Sequence, residues 1–125
     1  MRVTRIAPGA DGSCQFDEIE VAQPHLVEGQ GMRRSDSVAS PAVELVTLPA
    51  GFDLGFHPSG RRLLLVVLSG TVEVTVPSGD SRRFEPGTAF VSEDIASGHA
   101  TRTVDGPAEM LFVTLPEGNG WHIGP

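Results

Sequence analysis

The chain has 125 residues, of which 16 are acidic and 9 are basic, and its formal net charge is −7. A chain of this length buries roughly two-thirds of its surface on folding, which supports one core and excludes a second domain of ordinary size. The apolar content of 39% and the charged content of 20% exclude a largely disordered protein. An acidic chain without the roughly 20-residue apolar run of a membrane helix is expected to bind neither nucleic acid nor a membrane.

Cys14 is the single cysteine, so an intramolecular disulfide cannot form. Residues 1–5 do not have the pattern of a secretory leader, and the two observations together predict a reducing, cytoplasmic location. Because Cys14 lies in a turn-like segment with no histidine nearby in the sequence, we expect an inert thiol rather than a nucleophile.

Residues 1–42 carry the weaker structural pattern. Residues 3–6 and 18–21 are predicted as edge strands. Residues 22–40 mix glycine, serine, glutamine and charged side chains without periodicity, so we expect a long loop there.

From residue 43 onward, short apolar or alternating segments are separated by regular turn signals. The pattern predicts strands at residues 43–48, 52–56, 63–68, 71–76, 81–84, 88–91, 99–104 and 108–115. The Ser69-Gly70 pair is predicted as a two-residue hairpin, and Asp105-Gly106-Pro107 as a further turn. The expected class is all-β, a sandwich or a barrel. We expect residues 43–116 to form the barrel and residues 117–125 a tail, with Trp121 packed over a barrel edge, all within one domain.

The segment from residue 51 to residue 103 begins with Gly51, His57, Ser59, Leu63 and Gly70, at intervals of six, two, four and seven residues. In this spacing the segment resembles the first motif of the cupin family. That motif is a glycine, a His-x-His pair, a glutamate and a second glycine at fixed spacing. Every spacing is kept here, and the matching positions are Gly51, His57, Ser59, Leu63 and Gly70.

The second cupin motif is looser. A turn at residues 84–87 is similar to its entry, and Gly98, His99 and Thr103 are similar to its histidine segment. One residue is inserted between Gly87 and His99.

The resemblance implies a small all-β domain, a double-stranded β-helix or jelly-roll barrel. Such a domain binds ligands inside its barrel, often with a divalent metal held by three histidines and a glutamate. His57 and His99 match metal-ligand positions, whereas Ser59 replaces a histidine and Leu63 replaces the glutamate. A leucine has no lone pair to donate, and a neutral serine hydroxyl is a poor ligand. We therefore expect no cofactor, or a weakly bound divalent metal ion.

Without a metal, His57 and His99 are the expected catalytic residues. An imidazole in a dry barrel can act as general acid or base, tuned by a carboxylate such as Glu93 or Asp94, which could also complete a metal site. Residues near the histidines are expected to bind the ligand: Ser59, Arg61, Arg62, Glu93, Asp94 and Thr101. The arginines could clamp a carboxylate or phosphate. Strand alternation places Arg102 on the face opposite His99.

The function expected from these residues is small-molecule binding inside a cupin barrel with a degenerate metal centre, with histidine acid/base catalysis as an option at the same site. The alternative is a metal-dependent cupin enzyme of the dioxygenase, isomerase or decarboxylase type, using His57, His99 and a carboxylate. A third alternative is a non-catalytic module that pairs with itself. A homodimer is expected in any of these cases, because pairing covers exposed edge strands.

Overall fold

The structure is a computed structural model that describes residues 1–117, and Trp121, His122 and nearly all of the predicted tail lie outside that range. The described residues form ten strands: β1 (Arg2–Pro8), β2 (Cys14–Glu20), β3 (His25–Val27), β4 (Met32–Arg34), β5 (Val43–Leu48), β6 (Asp53–His57), β7 (Leu63–Thr75), β8 (Ser81–Phe84), β9 (Ala89–Ser92) and β10 (His99–Thr114). Within residues 1–117, no helix has the length and apolar character needed to cross a membrane. The all-β expectation is confirmed.

Two long strands, β7 and β10, form the centre of the fold and pair with each other in antiparallel fashion. The hairpin predicted at Ser69-Gly70 is wrong, because these two residues lie inside β7, which continues as one strand on both sides of them. The turn predicted at residues 105–107 is also part of one strand, β10. The two irregular points lie opposite each other, and the register of the pair shifts between Val104 and Glu109. Both strands therefore bend at the same place.

The shared bend lets β7 and β10 contribute to two layers. Their halves nearer residues 63 and 114 lie in a six-stranded layer with the order β2-β1-β9-β7-β10-β5. Their other halves pair with β8 and β6, respectively, to form a second layer. This is the arrangement of a jelly roll, in which the core fills the space between two packed sheets.

The buried faces of β7 show how the bend orients both layers toward one core. Before the bend Leu63, Leu65 and Val67 are buried, at odd positions. After it Val72 and Val74 are buried, at even positions. Side chains alternate between the two faces of a strand, so this change of parity requires an irregular residue between the halves. Gly70, whose φ is positive at 74°, is that irregular residue.

The N-terminal region is more ordered than its sequence predicts. β1 lies between β2 and β9 rather than at an edge, and it runs parallel to β9. Residues 22–40 were expected to be one loop, but they contain the small β3–β4 hairpin. The parallel pairing could not be predicted locally, because β1 and β9 are more than 80 residues apart in the sequence.

Candidate functional site

A cavity of about 230 Å³ lies between the two layers. Most of its wall is apolar and comes from both layers, including Leu65 and Phe112 on one side and Val72 on the other. Five polar side chains also line it: His57, Ser59, Arg61, His99 and Thr101. Four of these five lie within a few residues of the facing ends of β6 and β10, so the polar groups are concentrated at one end.

His57 and His99 are direct cross-strand partners. His57 is the last residue of β6, His99 is the first of β10, and the two are paired in the antiparallel ladder. Their ring centroids are 5.1 Å apart, with an interplanar angle of 47°. Both rings line the same cavity. A single small ligand can therefore contact both imidazoles.

Asp94 fixes the orientation of the His99 ring. The Nδ1–H of His99 donates to the Oδ2 of Asp94 at 2.8 Å, and both side chains are buried. The carboxylate accepts three further hydrogen bonds, from the amide and hydroxyl of Ser97 and the amide of Gly98. An aspartate followed three residues later by a serine is a local pattern that forms such side-chain-to-backbone bonds. The loop before β10 is thus built around this carboxylate.

Burial and hydrogen bonding set the charges of this pair. Burial opposes the ionised form of Asp94, but the hydrogen bonds from His99, Ser97 and Gly98 outweigh it and lower the carboxyl pKa. Burial also lowers the pKa of His99, against the raising effect of Asp94. At neutral pH the pair is therefore a carboxylate and a neutral imidazole, and the Nε2 of His99 carries a lone pair.

The His57 ring is held by its own strand. Its Nδ1 lies 2.7 Å from the carbonyl oxygen of Gly55, which can only accept, so Nδ1 carries the hydrogen. Like that of His99, its Nε2 is left for a ligand in the described part of the chain.

Cys14 completes a buried cluster behind His99. The ligand atoms of Cys14, Asp94 and His99 lie within 4.8 Å of one another, which makes the three a candidate metal site. The thiol of Cys14 donates to the carbonyl of Gly98 at 3.0 Å. Burial raises the pKa of Cys14 to about 11, so at neutral pH the group is a thiol rather than the thiolate that binds metal. The expectation of an inert thiol agrees with this chemistry, although the sequence did not predict the neighbours.

The cavity residues do not fit the metal shell that the cupin resemblance implies. Leu63 is buried on the cavity wall where a glutamate is expected. The Ser59 hydroxyl is 2.7 Å from that of Ser92 and is engaged there. Two imidazole nitrogens remain, and a stable transition-metal site normally needs three or four protein ligands. A tightly held ion in the cavity is not supported by this donor set.

The remaining candidates divide between the cavity and a separate ion-pair network. Thr101 and Arg61 line the cavity, and Arg61 also pairs with Glu44 at 2.7 Å. Glu93, Asp94 and Arg62 are not among the residues that line this cavity, and their contact with a ligand stays a prediction. Glu93 instead pairs with Arg62 at 2.6 Å and with Arg5 at 3.0 Å. Since successive side chains alternate in direction, only one of the adjacent acids, Asp94, reaches His99.

Known structures provide an independent comparison. DMSP lyase DddQ from Ruegeria pomeroyi DSS-3 matches with a TM-score of 0.53 and 30% identity over 74% of this chain and 44% of that one. A structure from a study of the DMSP lyases RdDddP and RnDddQII matches with a TM-score of 0.52 and 22% identity over 71% of this chain and 40% of that one. A cupin-2 domain containing protein from Shewanella frigidimarina NCIMB 400 matches with a TM-score of 0.50 and 13% identity, over 64% of this chain and 80% of that one.

The chain spans less than half the length of the two lyase structures. No protein-family model matches the sequence, and no curated protein matches it. The likeness to these structures lies in the architecture: two sheets joined by long bent strands, with a cavity between them. Together with the two motifs of the sequence, it shows that this chain has the cupin fold.

Proposed function

We propose that the protein binds a small molecule in the cavity between its two sheets and moves a proton on it, with His99 as the general base. The observation that carries the proposal is the 2.8 Å hydrogen bond between His99 Nδ1 and Asp94 Oδ2. It joins a buried carboxylate to an imidazole that lines an apolar cavity. A histidine oriented in this way is a recurring general base.

In this mechanism the neutral His99 accepts a proton from the ligand at Nε2. The resulting imidazolium is stabilised by the adjacent Asp94 carboxylate, which stays ionised. His99 then returns the proton to a different atom of the ligand, so the net reaction is an isomerisation by proton transfer. His57 holds the ligand against His99, because the two rings are 5.1 Å apart.

Arg61 and Thr101 serve in ligand binding in this proposal. Both line the cavity, and Arg61 is the cation there that could contact an anionic group. Its guanidinium already pairs with Glu44, so an anionic ligand would compete with that carboxylate. Ser59 lines the cavity too, with its hydroxyl directed to Ser92.

The test follows the protonation state of His99. In Asp94→Asn, His99 loses the negative charge beside it, and its pKa should fall further as measured by NMR titration of the imidazole. Ser97→Ala is the matched control, because it removes one hydrogen bond to Asp94 but leaves the carboxylate beside His99. An unchanged His99 pKa in Asp94→Asn would contradict the proposed pair. Native mass spectrometry of the purified protein would then identify a retained small molecule that is lost in His57→Ala and His99→Ala.

A metal-dependent enzyme is the second candidate, favoured by the cluster of Cys14, Asp94 and His99. A dication there would have to displace the proton of Cys14 and several of the hydrogen bonds to Asp94. Elemental analysis of protein purified without chelators distinguishes the two candidates. One tightly bound ion per chain would favour the metalloenzyme.

The proposal includes a homodimer and a cytoplasmic location. β5 is the last strand of the six-stranded layer, and its outward side chains Val43 and Leu45 are 62% and 80% exposed. Exposed apolar edge strands favour pairing with a second copy. The lone thiol of Cys14 is consistent with a reducing compartment.

A further inference from the structure

Most of the polar groups that line the cavity are already hydrogen-bonded to other groups of the protein. The Ser59 hydroxyl is bonded to Ser92, and Arg61 is bonded to Glu44 and to Thr114. Nδ1 of each histidine is also engaged. In the described part of the chain, the groups left for a ligand are the two imidazole Nε2 atoms, the Thr101 hydroxyl and those N–H groups of Arg61 that are not bonded to Glu44 or Thr114. A ligand therefore meets very few hydrogen-bonding groups.

The two imidazoles also carry their hydrogen on the same ring nitrogen. Both Nδ1 atoms face acceptors, the carbonyl of Gly55 and the carboxylate of Asp94, so both must carry the hydrogen. An imidazole whose one hydrogen is on Nδ1 offers Nε2 as an acceptor, and this geometry is the same in both rings. Two acceptors side by side need a hydrogen donor between them, and a carbonyl or ether oxygen would leave both unpaired.

The rest of the cavity is hydrophobic, with Phe52, Phe90 and Phe112 on its wall. Its volume of about 230 Å³ corresponds to about eight water-sized groups, at about 30 Å³ each. A polyol such as a sugar would place several hydroxyls against this wall without partners, which opposes its binding. A compact ligand with an apolar body matches both the size and the surface.

We propose that the cavity takes a small, mostly apolar molecule with a single hydroxyl group, of the phenol or enol class, whose one hydrogen is shared between Nε2 of His57 and Nε2 of His99 in a three-centre hydrogen bond. This inference rests on the proposed function and names its substrate class. An acidic hydroxyl of this class is also a group from which His99 can take the proton. The Thr101 hydroxyl can donate to the same oxygen.

Calorimetric titration of the unaltered protein with para-cresol, para-methylanisole and glucose tests the class directly. The first two share an aromatic body, but only para-cresol has a hydrogen to donate. We expect para-cresol to bind about tenfold more tightly than para-methylanisole, the effect of one well-made hydrogen bond in an apolar site. We expect glucose not to bind.

Substitution of the acceptors gives a second measurement. His57→Phe and His99→Phe keep an aromatic ring and remove Nε2, so each should weaken para-cresol and leave para-methylanisole unchanged. His25→Phe is the control, because His25 lies on β3, outside the cavity, where it pairs with Asp36. If one of the cavity variants fails to fold, the comparison of ligands on the unaltered protein still decides the inference.

Three outcomes would overturn the inference. Equal affinity for para-cresol and para-methylanisole would show that no donor is needed. Binding of glucose that depends on His57 and His99 would assign the cavity to polyols while leaving the proposed function intact. Failure of all three probes to bind would reject the phenol class. The NMR titration of His99 reports on the proposed function separately from these results.

Discussion

Gly70 in β7 packs directly against the carbonyl of Pro107 in β10, at the point where both strands bend. A Cβ atom built at Gly70 would overlap the Pro107 oxygen. The same Cβ would lie 2.8 Å from Ala108 Cα. The contact joins the two positions at which each strand passes from one layer to the other. The geometry of the cavity therefore depends on a residue without a side chain.

Gly70→Ala should destabilise the protein strongly. The variant combines a positive φ of 74° with the overlap at Pro107. The backbone effect and the forced shift of β10 should together cost about 2 to 4 kcal/mol in the free energy of unfolding, measured with urea.

Gly79→Ala is the matched control for this variant. Gly79 also has a positive φ, 95°, but an added Cβ would meet nothing within 4 Å. It should lose about 1 kcal/mol, the backbone effect alone. Equal losses in the two variants would contradict the role given to the close approach at the bend.

Acidification should weaken the fold through His99. Burial lowers the pKa of His99 in the folded protein, so the unfolded chain binds a proton more readily. The stabilising contribution is complete above the unfolded value of about 6.5 and is lost as the pH falls through the folded pKa. Asp94, whose pKa is also lowered by folding, acts in the same direction at lower pH.

Urea midpoints measured between about pH 7.5 and pH 5 check this expectation. The midpoint of the unaltered protein should fall across this range, and His99→Gln should show a smaller fall. His25→Gln, at an exposed position on β3, is the control. A pH dependence that is the same in His99→Gln and His25→Gln would place its origin elsewhere.

Restoring the missing ligands should create a metal site. Ser59 and Leu63 line the cavity together with His57 and His99, so Ser59→His and Leu63→Glu would add two donors to the two present. Affinity for Zn²⁺ or Ni²⁺ should rise at least about 100-fold, since even outer partners of ligands change affinity by about 10- to 100-fold. Calorimetry measures it, and adding His57→Ala to the double variant should reverse the gain.

The same substitution has a cost without metal. Leu63 is 5% exposed, so a glutamate there is buried among apolar side chains. Leu63→Glu alone should lose about 2 to 4 kcal/mol of stability in metal-free buffer, and added metal should recover part of it only when Ser59→His is present. If added metal restored the stability of Leu63→Glu without Ser59→His, the new glutamate and the donors already present would be sufficient to bind the ion.

Light scattering should give twice the chain mass of 13.2 kDa at micromolar concentration. Leu45→Lys places a charge on the exposed face of β5 and should produce the monomer. Leu26→Lys is the control, because Leu26 is also exposed, 58%, but lies on the separate β3–β4 hairpin. A dimer that persists in Leu45→Lys would assign its interface to another surface.

The sequence predicted most of the strands but not the way in which the strands join. The buried positions of β7 change from odd to even around Gly70, but residues 63–68 are all apolar in the sequence, so the sequence carried no alternation that could signal a bend instead of a hairpin. Glycine after serine fits either geometry, so the turn residues alone could not distinguish them. β7 and β10 were each predicted as two shorter strands instead of one long strand.

In the candidate site, motif spacing predicted that His57 and His99 would meet. The role of Asp94 was partly predictable, because Asp94 and Ser97 form a local hydrogen-bonding pattern that precedes His99. The position of Cys14 was not predictable, since it depends on the docking of the N-terminal hairpin, far away in sequence. Glu93 and Asp94 were equivalent candidates in the sequence. Only the direction of their side chains in the structure distinguished the one that reaches His99 from the one that pairs with arginines.

The parallel pairing of β1 with β9 has a consequence for how the protein is made. The amide of Glu93 donates to the carbonyl of Ile6, and Cys14 contacts Gly98, so the first strands hold the loop that carries Asp94. β1 is synthesised more than 80 residues before its partner β9, and such distant contacts form slowly. The loop beside His99 therefore takes its final position only after β9 and β10 have been synthesised.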